Sequence, residues 1–344
     1  MKLKKNNKAI FLDRDGTLNI NTEYVNRPSD VKLIENVPIA LKIFKSLGFL
    51  LICVTNQSGI ARGYFTIKDL KSVNKRLQEL LKKEGVTLDR IYFCPYHKDG
   101  KIKRYAIESP CRKPKPGMLI KAAKDFNIDL SSSYMIGDSI SDVEAGFNAG
   151  VKGSILISSK DKNEIPKPSA TVKDLLEASE WILLNEQRQK IIKNPEELEK
   201  RIKLLKKEGK IIVMTNGTFD IIHPGHINFL KLCKAMGDIL VVGLNSDLSV
   251  KKYKGETRPV ISEKDRAEML CSFDFVDFVF IFNERDPRAL IRIVKPHIHV
   301  KDANYKKEDI IEYDEVIRYK GKVVTLPRIG NYSTSAILNK LKKI

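Results

Sequence analysis

Apolar runs that end abruptly in polar clusters recur along the first half of the chain. AIFL at 9–12 runs into DRDGT, LLICV at 50–54 into TNQSG, and YMI at 134–136 into GDSISD. Between the first two runs, apolar residues recur at helical spacing over 37–47. Strands that alternate with helices are typical of a parallel α/β sheet, in which ligands gather at the carboxyl ends of the strands. We therefore expect a doubly wound parallel sheet, with a site where these runs end.

The same alternation starts again in the second half of the chain. IIVM at 211–214 runs into TNGTFD, and ILVVGL at 239–244 runs into NSD. Further apolar runs follow at 278–282, 298–300 and 323–326. The pattern predicts a second doubly wound parallel sheet. The two halves share this alternation but no repeated motif.

A charged segment separates the two patterns. Residues 189–209 are rich in lysine and glutamate and nearly free of glycine. Asn194 followed by Pro195 is a good helix start, because the side chain can cap the helix and proline suits its first position. We therefore predict domains at 1–188 and 189–344, with a helical linker at the start of the second.

Composition and charge exclude several classes of protein. The 344 residues are 42% hydrophobic, which fits ordinary folded domains. No apolar run approaches the roughly 18 residues of a membrane span. The start of the chain does not resemble a signal peptide, and the five cysteines are scattered. The net charge of +19 comes from lysines spread along the chain. We expect a cytoplasmic protein that favours anionic substrates and has no nucleic-acid or membrane partner.

Two aspartates follow the first predicted strand. Asp13 and Asp15 lie two positions apart, so an extended backbone points both to one side. Such a pair can hold Mg²⁺, or divide into a nucleophile and an acid/base. Taken alone, it would also fit an ordinary turn or a calcium loop. Later polar clusters add groups suited to phosphate or metal, namely Thr55, Asn56, Arg112, Lys113, Asp138 and Asp142.

With their neighbours, these residues form the motifs DRDGTLN, TNQSGIARGYFT, CRKPKPGM and GDSISD. Over roughly residues 8–185 the chain resembles the haloacid dehalogenase (HAD) superfamily, and within it the D,D-heptose 1,7-bisphosphate phosphatases. The resemblance implies that Asp13 attacks phosphorus to form an aspartyl-phosphate. It implies that Asp15 protonates the leaving alkoxide and then activates water. Mg²⁺ would be held by Asp13, Asp138 and the backbone carbonyl of Asp15.

The same resemblance assigns the substrate contacts. Thr55 and Lys113 would hold the phosphoryl oxygens, and Asn56 would add a hydrogen bond to phosphate. Arg112 would bind the sugar or its second phosphate. Metal and lysine would neutralise charge where an in-line displacement spreads it.

The loop CPYHKDGKIKRYAIESPC at 94–111 raises the question of zinc. Cys94, His97 and Cys111 are candidate ligands by resemblance to the family's C-x-H and C-x-C loop. Tyr96 stands where that histidine should be, and Ser109 replaces a cysteine. Structural zinc needs four ligands, so we expect the loop to pack without metal, with a zinc-pinned substrate loop as the alternative.

HPGH at 223–226 is the corresponding feature of the second half. His223 and His226 are three apart with proline and glycine between them, whereas zinc pairs on helices usually stand four apart with a nearby carboxylate. A helical pattern follows directly, so His226 should lie near a helix N-terminus, where amides and the helix dipole favour phosphate. Phosphate is therefore the preferred ligand and metal the alternative.

Residues 205–344 resemble the HxGH nucleotidylyltransferases, closest to the ADP-heptose and glycerol-3-phosphate types. The resemblance implies that His223 and His226 stabilise charge on the α-phosphate during attack by a sugar phosphate. Lys251 would bridge the incoming and leaving phosphates, and Arg258 would meet the substrate. The implied nucleotide pocket also includes Gly217, Thr218, Phe219, Ser333, Thr334 and Ser335.

Some positions depart from that family pattern. VKDANY replaces the heptose branch's V-K-G-G-D-Y, so Asp302 and Asn304 leave base or sugar selectivity open. His297 and His299 alternate in an apolar strand, and we interpret both as structural.

The two resemblances imply consecutive reactions. Removal of the 7-phosphate from D-glycero-D-manno-heptose 1,7-bisphosphate would give heptose 1-phosphate, which would receive a nucleotidyl group, expected from ATP, with release of pyrophosphate. We therefore expect a bifunctional enzyme of ADP-heptose synthesis for lipopolysaccharide, with a separate kinase upstream and its oligomeric state open. One alternative joins a phosphatase for other sugar or polyol phosphates to a cytidylyltransferase of the glycerol-3-phosphate type. Another is a nucleic-acid or scaffold protein that reuses enzyme folds, against which the intact Asp13/Asp15 and His223/His226 pairs argue.

Overall fold

A computed structural model describes residues 6–21, 24–158, 166–302 and 310–327. The chain divides into two compact units, Met1–Leu183 and Leu184–Ile344. The predicted boundary after residue 188 falls at the end of the helix Leu175–Arg188, which spans this division. Within the described residues, no helix is both long and apolar enough to cross a membrane.

The first unit is built on a parallel sheet of six strands with helices between them. The strands are β1 Lys8–Leu12, β2 Phe49–Asn56, β3 Arg90–Cys94, β4 Tyr134–Gly137, β5 Gly153–Ile157 and β6 Ala170–Val172. The helices are α1 Val37–Ser46, α2 Gly59–Arg62, α3 Ile67–Lys83, α4 Gly117–Phe126, α5 Ile140–Ala149 and α6 Leu175–Arg188. Short 3₁₀ helices occur at Pro28–Asp30, Lys103–Tyr105 and Leu130–Ser132.

Strand β1 lies in the middle of this sheet and is buried on both faces. Ile10 and Leu12 pack into one hydrophobic cluster, and Ala9 and Phe11 pack into another. Alternate side chains point to opposite faces, so each face is covered by its own helices. The strand order is β3-β2-β1-β4-β5-β6, so the direction of winding reverses between β1 and β4. Open sheets of this kind bind ligands at that reversal.

The second unit repeats this architecture with different connections. Its strands are β7 Ile191–Ile192, β8 Ile212–Gly217, β9 Ile239–Asn245, β10 Phe278–Phe282, β11 Ile298–Asp302 and β12 Lys322–Leu326. Its helices are α7 Pro195–Lys207, α8 Pro224–Ala235, α9 Asp247–Lys254, α10 Glu263–Cys271, α11 Arg288–Val294 and α12 Tyr313–Arg318. The order β12-β11-β8-β9-β10-β7 is also parallel throughout and reverses between β8 and β11. The two sheets confirm the predicted fold class.

The charged segment between the two patterns forms β7 and α7. Helix α7 begins at Pro195, and the Asn194 side chain accepts a hydrogen bond from the Glu196 amide at 2.7 Å, as the sequence predicts. Strand β7 pairs with β10, at the edge of the second sheet. This segment therefore contributes regular elements to the second unit.

Candidate active sites

The first site lies where β1 and β4 end. The Asp13 amide donates to the carbonyl of Ile136 at 3.0 Å, which fixes the turn after β1 against β4. The buried Lys113 amine lies 2.7 Å from Asp13 Oδ1 and 2.5 Å from Asp142 Oδ1. The amine also donates to the carbonyl of Val54 on β2 at 2.8 Å. One cation thus joins groups from three neighbouring strand ends.

Three carboxylates converge beside this lysine. Asp13, Asp138 and Asp142 each offer an oxygen, and these atoms lie within 4.8 Å of one another; the described residues contain no other such group of three. Gly16 lets the chain pass close to Asp138: its φ is +83°, and a Cβ there would lie 2.0 Å from Asp138 Oδ2. The Asp15 carboxylate is not part of this group, and Asp142 supplies the third carboxylate. The predicted metal contact of Asp15 was its backbone carbonyl.

The electrostatics of the cluster favour a cation. Burial raises the pKa of Asp13 to about 6, although Lys113 opposes the shift. Burial and the nearby Asp13 charge raise the pKa of Asp138 to about 6. Burial also raises the pKa of Asp142. Burial lowers the pKa of the Lys113 amine, but Asp13 and Asp142 outweigh it and raise that pKa. The ammonium of Lys113 pairs with two of the three carboxylates, and the three together offer a set of oxygen donors that suits a divalent ion.

Asp15 is held by a separate set of donors. Arg14, 1% exposed, donates to it from Nε at 3.1 Å and from Nη2 at 2.7 Å, and its Nη1 donates to Asn74 on α3 at 3.0 Å. Asn19 and Gln57 add hydrogen bonds to the two Asp15 oxygens at 3.0 and 2.9 Å. Such a bidentate pair fixes the plane of the carboxylate. Sequence analysis missed Arg14 and Gln57, although both lie inside its motifs.

The carboxylates of both groups line a cavity of about 470 Å³, together with Lys113 and Gln57. The predicted residues on its wall are Asp13, Asp15, Thr55, Asn56, Lys113, Asp138 and Asp142. Among the described lining residues Arg112 does not appear; its Nη1 donates to the Tyr96 carbonyl at 3.4 Å. Asn21, Tyr24 and Ser141 also line the cavity and were not anticipated.

Asn56 acts on the backbone of Lys113. Its Nδ2 donates to the Lys113 carbonyl and its Oδ1 accepts from the Lys113 amide, both at 3.1 Å. We name this pair of hydrogen bonds the Asn56 clamp. The clamp fixes where the Lys113 side chain starts, so Asn56 has a positioning contact in addition to its place on the cavity wall.

The cysteine loop does not bring its three zinc candidates together. Cys94, His97 and Cys111 form no group with all ligand atoms within 4.8 Å, in the portion of the chain described. A hydrogen bond from Cys94 lowers the pKa of Cys111 to about 6, and the same bond raises that of Cys94. Ser109 Oγ lies 3.0 Å from Cys111 Sγ. The His97 ring accepts from the Asp99 amide at 3.2 Å.

In the second unit, the two histidines of HPGH stack on each other. Their ring centroids are 3.7 Å apart and inclined by 17°. His223 caps α8 by accepting from the His226 amide at 3.3 Å, so His226 stands in the first helical turn as predicted. The ring of Phe219 lies 5.4 Å from that of His226, and its backbone has a positive φ of 47°. The turn after β8 therefore places two imidazoles at a helix N-terminus.

Asp220 organises the segment that carries Arg258. It is 1% exposed and accepts from Arg258 Nε at 2.7 Å and from the amides of Val260 and Ile261 at 2.8 and 3.0 Å. Arg258 was predicted to meet the substrate, and the structure pairs it with this buried carboxylate. Sequence analysis did not single out Asp220, although it lies inside TNGTFD.

Arg266 is a second buried residue that holds several segments together, and sequence analysis did not identify it. It is 0% exposed and donates to the carbonyls of Thr218 and Ile261 at 2.5 and 2.9 Å and to Asp247 at 2.6 Å. The Thr218 hydroxyl bonds to Tyr253 on α9 at 2.5 Å. One guanidinium thus joins the turn after β8, the start of α9 and the segment before α10.

The remaining predicted residues lie apart or outside the description. Lys251 lies on α9, 45% exposed, with its amine 3.6 Å from Glu256. Gly217 ends β8. Ser333, Thr334 and Ser335, and also Asn304, lie outside the described residues.

Two family models match different parts of the chain. A HAD-hydrolase-like family model matches residues 110–178, and a cytidylyltransferase-like model matches residues 214–340. The fold and the two sites therefore define an enzyme with a HAD-like phosphatase domain and a nucleotidyltransferase domain.

The relatives give the family. The chain is 47% identical over 150 residues to the D-glycero-beta-D-manno-heptose-1,7-bisphosphate 7-phosphatase of Pasteurella multocida, over 44% of this chain and 81% of that protein. It is 51% identical over 154 residues to Bifunctional protein HldE of Campylobacter jejuni subsp. doylei, over 45% of this chain but only 32% of that protein. A solved D,D-heptose 1,7-bisphosphate phosphatase from B. bronchiseptica, complexed with magnesium and phosphate, is 28% identical, with a TM-score of 0.46 over 52% of this chain and 99% of that one. The chain belongs to the D-glycero-beta-D-manno-heptose-1,7-bisphosphate 7-phosphatase family and carries a cytidylyltransferase-like domain as well.

Proposed function

We propose that this chain catalyses two consecutive steps in the synthesis of a nucleotide-activated heptose. The first unit removes the 7-phosphate of D-glycero-D-manno-heptose 1,7-bisphosphate. The second transfers a nucleotidyl group, from ATP in the leading version, to heptose 1-phosphate and releases pyrophosphate. The observation that carries the proposal is the cavity in which Asp13, Asp15 and Lys113 meet, in a chain that also places His223 and His226 at a helix N-terminus.

The first reaction uses the two aspartates in turn. An oxygen of Asp13 attacks the 7-phosphoryl group as the bond from phosphorus to the sugar oxygen breaks, giving an aspartyl-phosphate. Asp15 gives its proton to the departing alkoxide. Asp15 then takes a proton from water, which attacks the phosphorylated Asp13 and releases inorganic phosphate. The amide of Gln57 and the guanidinium of Arg14 hold Asp15 in one orientation for both proton transfers.

Charge stabilisation in the first site comes from Lys113 and a cation. Lys113 already lies within 2.7 Å of Asp13, so its ammonium stands beside the phosphoryl group that Asp13 accepts. Asp13, Asp138 and Asp142 fit Mg²⁺, which supplies Lewis-acid stabilisation of the transferred phosphoryl group when bound. Thr55, on the cavity wall, adds a hydroxyl for a phosphoryl oxygen.

The second reaction needs no covalent intermediate. The phosphate of heptose 1-phosphate is itself the nucleophile, so catalysis consists of positioning and electrostatic stabilisation. His223 and His226, with the amides that begin α8, stabilise charge on the α-phosphate. Lys251 and Arg258 are the candidate cations for the other phosphates. Of these two, Arg258 is preset by its ion pair with Asp220.

A second candidate donor is CTP. The family model that matches residues 214–340 is cytidylyltransferase-like, which favours a cytidylyltransferase acting on a polyol phosphate or a sugar phosphate. The first unit would then act on a matching phosphomonoester.

The pathway partners implied by the leading version are a separate kinase that supplies the bisphosphate and a cytoplasmic pool of NTP.

Phosphorus NMR of the purified chain tests both versions. Each anomer of heptose 1,7-bisphosphate is incubated with Mg²⁺ and either ATP or CTP. Loss of the 7-phosphate signal followed by a new pair of diphosphate signals with ATP supports the leading version, and the same result only with CTP supports the second. No change with either anomer and either nucleotide contradicts a heptose substrate, and the second version is then tested with CTP and a polyol phosphate.

A further inference from the structure

Three charged or titratable side chains from β11 and the residue before α12 meet inside the second unit. His299 and Lys301 stand two positions apart on β11, so both side chains project from the same face of the sheet. Both contact the same oxygen of Glu312, just before α12: His299 Nε2 at 3.1 Å and Lys301 Nζ at 2.6 Å. His299 is 0% exposed and Glu312 3%. We name these three residues the β11 triad.

The β11 triad is a costly arrangement for a purely structural contact. A buried carboxylate loses its hydration, and packed apolar residues would hold α12 to the sheet equally well. Burial raises the pKa of Glu312, but the His299 hydrogen bond and the Lys301 charge outweigh it and lower that pKa to about 2. Burial lowers the pKa of His299. Glu312 is therefore a fixed anion beneath Lys301, next to a neutral imidazole.

The triad holds the lysine at the catalytic end of the sheet. The Lys301 amine also donates to Asn216 Oδ1 at 3.2 Å. Asn216 is the residue before Gly217, where β8 passes into the turn that leads to the stacked histidines. Strands β8 and β11 are the pair between which the sheet reverses its winding, the usual place for a ligand in an open α/β sheet. The Lys301 side chain is 12% exposed, so it is largely desolvated yet still reaches the surface.

We propose that Lys301 binds a phosphate group in the nucleotidyl-transfer site and that Glu312 is the residue that positions it. The inference rests on the proposed nucleotidyl transfer. The ligand is a phosphate oxyanion, from either the nucleotide or the sugar phosphate. A partly desolvated ammonium held by two acceptors binds such an oxyanion with little loss of side-chain freedom. Asn216 and Glu312 set its direction, and His299 sets the direction of Glu312.

The test compares five variants of the full chain: Lys301→Met, Lys301→Arg, Glu312→Gln, the double variant of Lys301→Met with Glu312→Gln, and Lys322→Met. Lys322 is the matched control, because it is exposed at the start of β12 and pairs with Ile298 at the opposite end of β11. Pyrophosphate release is measured with nucleotide and heptose 1-phosphate varied separately. Phosphate release from heptose 1,7-bisphosphate by the same samples reports whether each protein is correctly quantified, and circular dichroism with a thermal melt reports whether the second unit is folded.

Lys301→Met is expected to lower kcat/KM about tenfold to a hundredfold for whichever substrate carries the bound phosphate, as loss of a charged hydrogen bond implies. Lys301→Arg should recover part of the loss. Glu312→Gln should change the same constant by less, and the double variant should be no worse than Lys301→Met, because both act through one contact. Lys322→Met and phosphate release should stay unchanged.

The proposal is overturned by a Lys301→Met protein whose kinetic constants stay within about twofold of the parent, even if its melting temperature falls. If the parent chain releases no pyrophosphate, the proposed nucleotidyl transfer fails, and the phosphate site is tested by binding alone. Calorimetric titration with ATP, CTP and pyrophosphate then decides: weaker binding to Lys301→Met than to the parent supports the phosphate site, whereas equal binding, or no binding to either, refutes it.

Discussion

At the scale of single residues, the first site brings three carboxylates close to one lysine. Lys113 pairs with both Asp13 and Asp142, while Asp138 stands beside them. Burial raises the pKa of each of these carboxylates, so their charge is costly until a further cation arrives. Asp13 belongs to this site and His226 to the second. Substituting each of them in turn tests whether the two proposed activities are independent.

Asp13→Asn is expected to lower phosphate release at least about a thousandfold, because an amide oxygen is a poor nucleophile for phosphorus. Nucleotidyl transfer from supplied heptose 1-phosphate should persist. His226→Ala should have the opposite effect. Both rates are measured on each purified variant, and a folded variant that loses both activities would contradict independent sites.

Removal of divalent metal should stop phosphate release. Three converging oxygen donors with one lysine fit Mg²⁺, so dialysis against a chelator is expected to lower the rate to background, and added Mg²⁺ to restore it. Mg²⁺ should also raise the melting temperature of the first unit, because binding to the folded state stabilises it. Undiminished activity in the chelated protein, confirmed metal-free by elemental analysis, would exclude a metal role for the cluster.

Cys111 should be the most reactive cysteine in chelator-treated protein. The Cys94 hydrogen bond lowers its pKa to about 6, and Cys53, Cys94, Cys233 and Cys271 are all buried. Alkylation followed by peptide mapping is expected to label Cys111 first, with a rate that levels off above about pH 7. Cys94→Ser should move that profile to higher pH. First labelling at another cysteine would refute the assignment.

At the scale of elements, both sites depend on turns that follow the central strands. In the first unit, the turn after β1 passes within contact distance of Asp138 only because residue 16 is glycine. In the second, the turn after β8 carries Phe219 at a positive φ and leads into α8. The conformations of these turns therefore determine where the side chains of each site lie.

Gly16→Ala is expected to reduce phosphate release strongly and to destabilise the first unit by more than about 1 kcal/mol. A Cβ at residue 16 would lie 2.0 Å from Asp138 Oδ2, so the carboxylate must move. Gly48→Ala is the matched control, because its φ is +80° and no atom lies within 4 Å of the added Cβ. Both variants should lose stability from backbone strain, but only Gly16→Ala should lose activity. Equal activities would refute the steric argument.

The sequence predicted the strands and the place of the first cluster for a physical reason. Polar residues at the ends of parallel strands must meet at one edge of the sheet, so Asp13 and Asp138 could be grouped without coordinates. Lys113 lies in the long segment between β3 and α4, and only the motif CRKPKPGM pointed to it. Pairings between distant segments leave no such local pattern. Nothing near Asp220 indicates that it holds Arg258, and nothing near β11 indicates that His299 shares an acid with Lys301.

At the scale of the whole molecule, the net charge of +19 acts on every substrate at once. Both proposed reactions take polyanionic substrates, and a positive surface speeds their encounter with the protein. The lysines are spread along both halves of the sequence, so the effect belongs to the molecule as a whole.

Raising the ionic strength from about 20 to about 200 mM is expected to lower kcat/KM several-fold for both reactions while kcat changes little, since salt shortens the range of the field. Initial rates at low and at saturating substrate separate the two constants. A loss confined to kcat would show that salt acts on a step after binding.

The Asn56 clamp has a consequence for how this enzyme can diversify. Asn56 bonds the main-chain carbonyl and amide of Lys113, so this contact does not depend on which side chains precede Lys113. Residues 94–111, Cys94 and Cys111 included, are therefore expected to tolerate substitution without moving Lys113. The same independence makes that loop a suitable segment to exchange between relatives while the phosphatase cluster is kept.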